Sequence, residues 1–103
     1  MAGPVSDREL TTAGFYRHAW LIIATGGWWR PAAVVEQLPL EVDGWNTAQM
    51  LWCMANRHRM LITRGRRATR EYAVTAACRI PGGLHAGEVA QALTGVAWKR
   101  AMP

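Results

Sequence analysis

Residues 44–75 read GWNTAQMLWCMANRHRMLITRGRRATREYAVT, and this stretch decides the fold. Its first half spaces apolar residues as a helix does, and its second half holds two β-prone runs joined by a basic loop. The interval from 44 to 70 contains neither Asp nor Glu. It contains Arg57, Arg59, Arg64, Arg66, Arg67 and Arg70. Charge this one-sided predicts a polyanionic partner.

The helical half is predicted to span residues 46–58. Asn46 or Thr47 can cap its first turn, because either side-chain oxygen can accept a backbone N–H bond. The buried face is predicted from the i, i+3, i+4, i+7 spacing of apolar residues. That face comprises Ala48, Leu51, Trp52 and Ala55. This register leaves on the outer face Asn46, Thr47, Gln49, Met50, Cys53 and Arg57.

The second half predicts a β-hairpin. Residues 60–63 and 71–75 are short runs with β-prone side chains. Gly65 lies in the connection, where glycine adopts a positive φ without steric cost. The pattern therefore predicts a helix that leads directly into a hairpin with an arginine-rich loop.

From residue 31 to residue 75 the chain resembles a winged helix-turn-helix domain. The resemblance comprises a helix at 31–38, a turn at 39–44, a recognition helix at 46–58, a strand at 60–63, a wing at 64–70 and a returning strand. The matching apolar positions are Ala48, Trp52, Ala55, Met60 and Leu61. One departure is Arg59, which stands where many members have glycine.

The resemblance implies a mainly α fold with a small antiparallel β-hairpin (α+β). We expect a three-helix core, a wing and a C-terminal helix, with a short extended piece at 28–30 that pairs with the hairpin. It also implies double-stranded DNA binding, sequence-specific or general, by a small transcriptional regulator. The expected DNA contacts are Asn46, Thr47, Gln49, Met50, Arg57, Arg59, Arg64, Arg66, Arg67 and Arg70.

The length of 103 residues predicts a single domain. We expect a loose arm at 1–7, the winged helix-turn-helix domain at 8–75 and an extension at 76–103. A first helix is predicted from Arg8 or Thr11 to Thr25, with apolar positions at Phe15, Tyr16, Ala19, Trp20, Ile22 and Ile23. The extension carries a helix at 85–93, which either packs on the first helix or forms a homodimer.

Composition limits the class of partner. The formal net charge is +5 and the isoelectric point is about 10.2, values typical of small domains that bind nucleic acid. The apolar run at 19–24 is far shorter than a membrane span, so no membrane partner is expected. Cys53 and Cys78 lack zinc or redox spacing, which predicts reduced thiols in a cytoplasmic protein.

No motif of the sequence indicates catalysis. His18, His58 and His85 fall in three different predicted elements, without metal-ligand spacing, and the glycine pairs do not form a phosphate loop. We therefore expect no enzyme activity, no cofactor and no metal site. Trp28 and Trp29 either stack on bases or fill the core and cover the sheet edge, and packing is favoured because so small a core needs large aromatics.

A second hypothesis comes from a different class of function. The same fold also serves as a protein-interaction module, such as a phage or mobile-element inhibitor or adaptor. Its basic face would then occupy an acidic or nucleic-acid-binding surface of a protein partner. Tryptophan and arginine dominate protein hot spots, so the composition fits both hypotheses.

Overall fold

The computed structural model describes residues 12–38 and 44–93. Within these ranges the chain forms four α-helices and one two-stranded antiparallel hairpin, which confirms the predicted α+β class. The elements are α1 (Thr12–Ile23), α2 (Pro31–Gln37), α3 (Gly44–Asn56), β1 (Ile62–Arg64), β2 (Glu71–Ala73) and α4 (Ala86–Leu93). The predicted arm at 1–7 and most of the predicted turn at 39–44 lie outside the described residues.

Helix α1 lies at the centre of the core and packs against α2, α3 and α4. Its buried side chains follow helical spacing and include two large aromatics, Phe15 and Trp20. The Trp20 indole N–H donates to the Met60 carbonyl at 3.0 Å, so its polar atom is satisfied inside the core. The predicted apolar face of α1 is thereby largely confirmed, with Ile22 and Tyr16 half-buried at its edge.

Helix α2 follows its prediction closely. Pro31 occupies the first helical position, where its missing N–H is not needed. Val34 is fully buried and Glu36 is exposed. The helix ends at Leu38, whose backbone is extended and whose side chain packs on the core.

The register predicted for α3 is right for Leu51 and in part for Ala55, which packs against the core, and it is wrong for Trp52. The fully buried positions are Thr47, Leu51 and Met54, whereas Trp52 is 39% exposed. The helix is therefore rotated by roughly one residue position from the predicted orientation. Phe15, Trp20 and Tyr72 already fill the core with large aromatics, and the flexible Met54 occupies the space that remains beside them.

The hairpin pairs Ile62 with Ala73, Thr63 with Tyr72, and Arg64 with Glu71. Both strands are shorter than predicted, but they lie within the predicted runs or one residue beyond them. The short extended piece expected at 28–30 is present as a bridge between Trp29 and Tyr72. Trp29 also packs against the core, so the packing interpretation of this tryptophan is confirmed.

The C-terminal part of the described chain folds back onto α1. Leu84 and Val89 pack against the core, and Arg17 forms an ion pair with Glu88 at 2.6 Å. Of the two roles predicted for this helix, packing on α1 is observed, while dimerisation stays a prediction. Across residues 12–38 and 44–93, the helices fall short of the length and apolar character that crossing a bilayer requires.

Candidate nucleic-acid interface

The outer face of α3 presents polar side chains. Asn46 and Gln49 are exposed on one side of the helix, and Arg57 is exposed directly after its last residue. Thr47 is fully buried, so the prediction that it faces outward is wrong. Met50 is half-buried and packs against the core, so it too differs from the outward position expected of it. Both corrections follow from the rotation of α3.

Arg59 lies in the turn that joins α3 to β1, with an exposed side chain and a φ of 56°. This is the left-handed region, which arginine adopts at a steric cost and glycine adopts freely. Two backbone bonds hold the turn. The Met60 N–H donates to the Met54 carbonyl at 2.8 Å, and the Arg79 N–H donates to the Arg59 carbonyl at 2.7 Å.

The loop between the strands, residues 65–70, is termed the arginine loop. Gly65 has a φ of 82°, and a Cβ there would lie 2.5 Å from the Thr69 carbonyl oxygen, so only glycine fits. The Thr69 hydroxyl accepts from the Arg66 N–H at 3.2 Å and donates to the Arg66 carbonyl at 2.8 Å. These bonds order the loop while Arg66 and Arg67 remain exposed.

Arg64 differs from the other predicted contact residues because two groups already hold it. Its Nε donates to the Glu71 carboxylate at 2.9 Å, and its guanidinium lies 4.2 Å from the centroid of the Trp28 ring. The cross-strand pairing of Arg64 with Glu71 makes this contact possible. Its positive charge is therefore largely compensated, which weakens the prediction that it contacts phosphate.

Arg70 is partly buried at the base of the arginine loop. Its Nε is inaccessible to solvent and has no hydrogen-bond partner among the described residues. It lies beside Tyr72, where burial raises the pKa of the phenol, while a hydrogen bond from Arg70 and the Arg70 charge act in the opposite direction. Arg70 is thus a cation set back from the surface and not a fully solvated side chain.

Helix α3 and the arginine loop meet across an open groove of about 650 Å³. It is lined by Pro31, Ala48, Gln49, Trp52, Arg67, Arg70 and Tyr72. The groove brings together three predicted contact residues, and it adds Trp52, which the sequence-based register had placed in the core. No local pattern distinguishes the observed orientation of α3 from the predicted one, because both buried faces share Leu51.

Acidic groups do little to offset the arginines within the described ranges. Glu71 and Glu88 form ion pairs with Arg64 and Arg17, and Glu36 is exposed on α2. The exposed arginines of α3, its following turn and the loop are Arg57, Arg59, Arg66 and Arg67. Their surface therefore carries a net positive charge.

The three histidines lie in different parts of the described chain. His58 lies against Tyr16, with 5.4 Å between ring centroids, while His18 is half-buried in α1 and His85 is exposed. Residues 12–38 and 44–93 hold no group of three side chains suited to a metal ion. The chemistry available at the interface is accordingly that of arginine, amide and aromatic groups.

Comparison of the chain with protein-family models, with curated proteins and with solved structures finds no match.

Proposed function

We propose that the chain binds double-stranded DNA as a winged helix-turn-helix protein, with α3 as its recognition helix and the arginine loop as its wing. The observation that carries the proposal is the positive surface shared by α3, the turn after it and the loop. The order of helix, helix and hairpin supports it, as does the bridge between Trp29 and Tyr72.

Base edges would be contacted from the first half of α3. Asn46 and Gln49 are exposed there, and both side chains carry a donor and an acceptor. In helix-turn-helix proteins the N-terminal part of the recognition helix contacts base edges in the major groove. Amide side chains pair with the N6 and N7 atoms of adenine, so the proposal favours an A·T pair at that position.

Phosphates would be contacted by Arg57, Arg59, Arg66 and Arg67, which are exposed. Each neutralised phosphate releases condensed counterions, so affinity falls as salt rises. Four such contacts predict a slope of roughly −3.6 in a plot of log K against log salt, at about −0.9 per phosphate. This term is independent of sequence and sets the affinity for any duplex.

The test is a salt series with a random blunt duplex, followed by fluorescence anisotropy. Strong binding at low salt and a slope near the expected value support the proposal. Absent binding, or binding that does not change with salt, contradicts it. The same duplex offered with an excess of heparin checks whether the protein prefers DNA to another polyanion.

Regulation of transcription as a cytoplasmic homodimer with two half-sites extends the proposal. A dimer would place two copies of α3 one helical turn of DNA apart. Helix α1 and α4 are the candidate dimer surfaces, and light scattering of the free and DNA-bound protein measures the stoichiometry. One protein per duplex at saturation would exclude the half-site arrangement.

A protein partner is the alternative, and the exposure of Trp52 favours it specifically. Tryptophan and arginine supply much of the binding energy at protein interfaces, and both lie in the groove. In this case the positive surface would meet an acidic protein surface. Duplex binding that is absent or does not change with salt would favour the protein-interaction function over DNA binding.

A further inference from the structure

Trp52 is a large apolar side chain at the surface of a positively charged groove. It is 39% exposed and shares the groove with Arg67 and Arg70. We infer that this groove holds one unstacked nucleobase and its phosphate, taken from single-stranded DNA beside the bound duplex. The inference rests on the proposed DNA binding, and it adds a second binding site of different chemistry.

The size and lining of the groove suit a planar group. Its volume of about 650 Å³ lies within the range of roughly 300 to 1,000 Å³ typical of small-ligand sites. Ala48 lies four residues before Trp52 on the same face of α3, and its small side chain leaves space beside the indole. Pro31 and Tyr72 add further apolar surface. The groove therefore offers apolar surface beside the exposed Trp52 on which a base can stack.

The charges in the groove favour an anion. Its lining includes Arg67 and Arg70 and contains no carboxylate. A phosphate oxygen is a negatively charged acceptor, and the positively charged guanidinium groups bind phosphate through charge-assisted hydrogen bonds.

Stacking on Trp52, and not hydrogen bonding to the base edge, holds the base in the groove. Stacking is tolerant of sequence, since every base has a π face. The site would therefore accept all four bases, in contrast to the sequence preference expected of the major-groove contacts.

The occupant comes from a single strand because a paired base cannot reach the ring. Stacking on Trp52 requires that the base leave its own stack, which costs least where the DNA is already unpaired. Duplex ends, forks and overhangs supply such bases. The protein should accordingly bind a duplex with a single-stranded overhang more tightly than the blunt duplex of equal length.

The experiment titrates a thymidine tetranucleotide into 15N-labelled protein and follows the indole N–H resonances by NMR. Trp52→Phe assigns the Trp52 signal, and we expect that signal to shift more than those of Trp28 and Trp29. Trp52→Ala should weaken tetranucleotide binding roughly 5- to 100-fold, the effect of removing one stacked base. Ile80→Ala is the matched control, because Ile80 is 51% exposed and lies outside the groove.

A second pair of variants tests the phosphate contact. Arg66 and Arg67 are neighbours in the arginine loop and both are exposed, but only Arg67 lines the groove. Arg67→Ala should therefore weaken tetranucleotide binding more than Arg66→Ala does. Equal weakening in the two variants would show that the loop acts only through its overall charge, which contradicts the site.

Three further outcomes overturn the inference. They are a Trp52 signal that does not move, a Trp52→Ala protein that binds the tetranucleotide as well as the wild type, and the same Trp52 shift produced by sodium phosphate alone. Each leaves the blunt-duplex salt series unaffected. Absence of duplex binding in the wild type would instead refute the proposed function, so the two failures are distinguishable.

Discussion

The backbones of Trp29 and Tyr72 exchange two hydrogen bonds, each 2.8 Å between nitrogen and oxygen. This bridge joins the segment that leads into α2 to strand β2, two elements far apart in sequence. Pro31 begins α2 two residues after Trp29, and both Pro31 and Tyr72 line the groove. Because Tyr72 is buried, the bridge holds together, against the core, two segments that line the groove.

Two tryptophans should respond differently to the same substitution. Trp20 is 1% exposed and hydrogen-bonded in the core, whereas Trp52 is 39% exposed. Trp20→Ala should lower the free energy of unfolding by roughly 3 to 5 kcal/mol through an unfilled cavity. Trp52→Ala should lower it by only about 1 to 2 kcal/mol, because the folded state buries less of this side chain. Urea denaturation measures both, and equal decreases would contradict the register of α3.

The sequence was enough to predict those elements whose ends are marked by a particular type of residue. Pro31 begins α2, and Gly65 marks a turn that no other residue fits. The orientation of α3 was not predictable in this way, because two apolar faces share Leu51. The i, i+3, i+4, i+7 spacing placed Trp52 inside, whereas the aromatics contributed by α1 and β2 made Met54 the better fit. Tertiary packing, which no local pattern contains, decided the outcome.

The candidate interface was predictable in composition but not in geometry. The arginines could be counted, and their excess over acids indicated a polyanion. The pairing of Arg64 with Glu71 depends on the cross-strand register, and the burial of the Arg70 Nε depends on the path of the loop. The groove depends on the bridge between Trp29 and Tyr72, a contact between distant segments. Long-range pairing therefore determined which charges remain available.

Arg59 should be the site of a stabilising substitution. Its φ of 56° is unfavourable for a residue with a Cβ, whereas glycine adopts it without steric cost. The free energy of unfolding of Arg59→Gly, measured by urea denaturation, should exceed that of Arg59→Ala by about 1 kcal/mol. Both variants lack the arginine side chain, and only glycine removes the steric strain of a positive φ. Both variants should show the same decrease in DNA affinity if Arg59 contacts one phosphate. Equal stability of the two variants would be inconsistent with a left-handed Arg59.

The contact between α1 and α4 should depend on pH through Glu88. Its carboxylate accepts one hydrogen bond from the backbone N–H of His85 at 3.0 Å and another from the Arg17 guanidinium at 2.6 Å. These two contacts lower the pKa of Glu88 below its ordinary value of 4.5. A lowered pKa means that the stabilisation is fully present above pH 4.5 and disappears as the pH falls through the pKa of the folded state.

Thermal unfolding of the wild type and of Glu88→Gln measures this dependence. The wild type should have the higher Tm at neutral pH, and the difference should shrink as the pH falls below 4.5. Glu36→Gln is the control for removal of one carboxylate, since Glu36 is exposed on α2. A difference between wild type and Glu88→Gln that stays constant down to low pH would show that the carboxylate charge is not involved.

Gln49 and Thr47 lie two positions apart on α3 and should separate recognition from stability. Gln49 is exposed and Thr47 is fully buried. Gln49→Ala should cost about 1 to 3 kcal/mol of binding on the preferred site and almost none on random DNA, because alanine cannot hydrogen-bond to a base and the arginines still bind phosphate. Thr47→Ala should instead change the free energy of unfolding. Urea denaturation measures the effect of Thr47→Ala. Selection on randomised duplex tests Gln49, and identical motifs from wild type and Gln49→Ala would remove Gln49 from base recognition.

The arginine loop should supply affinity without sequence preference. Arg66 and Arg67 are both exposed at its tip, held by the two bonds between Arg66 and Thr69. Replacing both by alanine should weaken binding to all duplexes alike and make the salt slope shallower by about 2, one unit for each phosphate that is no longer neutralised. Replacing both by lysine is the matched control, because lysine keeps the charge and should keep the slope. An unchanged slope in the double alanine variant would place the loop outside the DNA interface. A reduced slope in the double lysine variant would show that the geometry of the guanidinium, and not its charge alone, holds the phosphate.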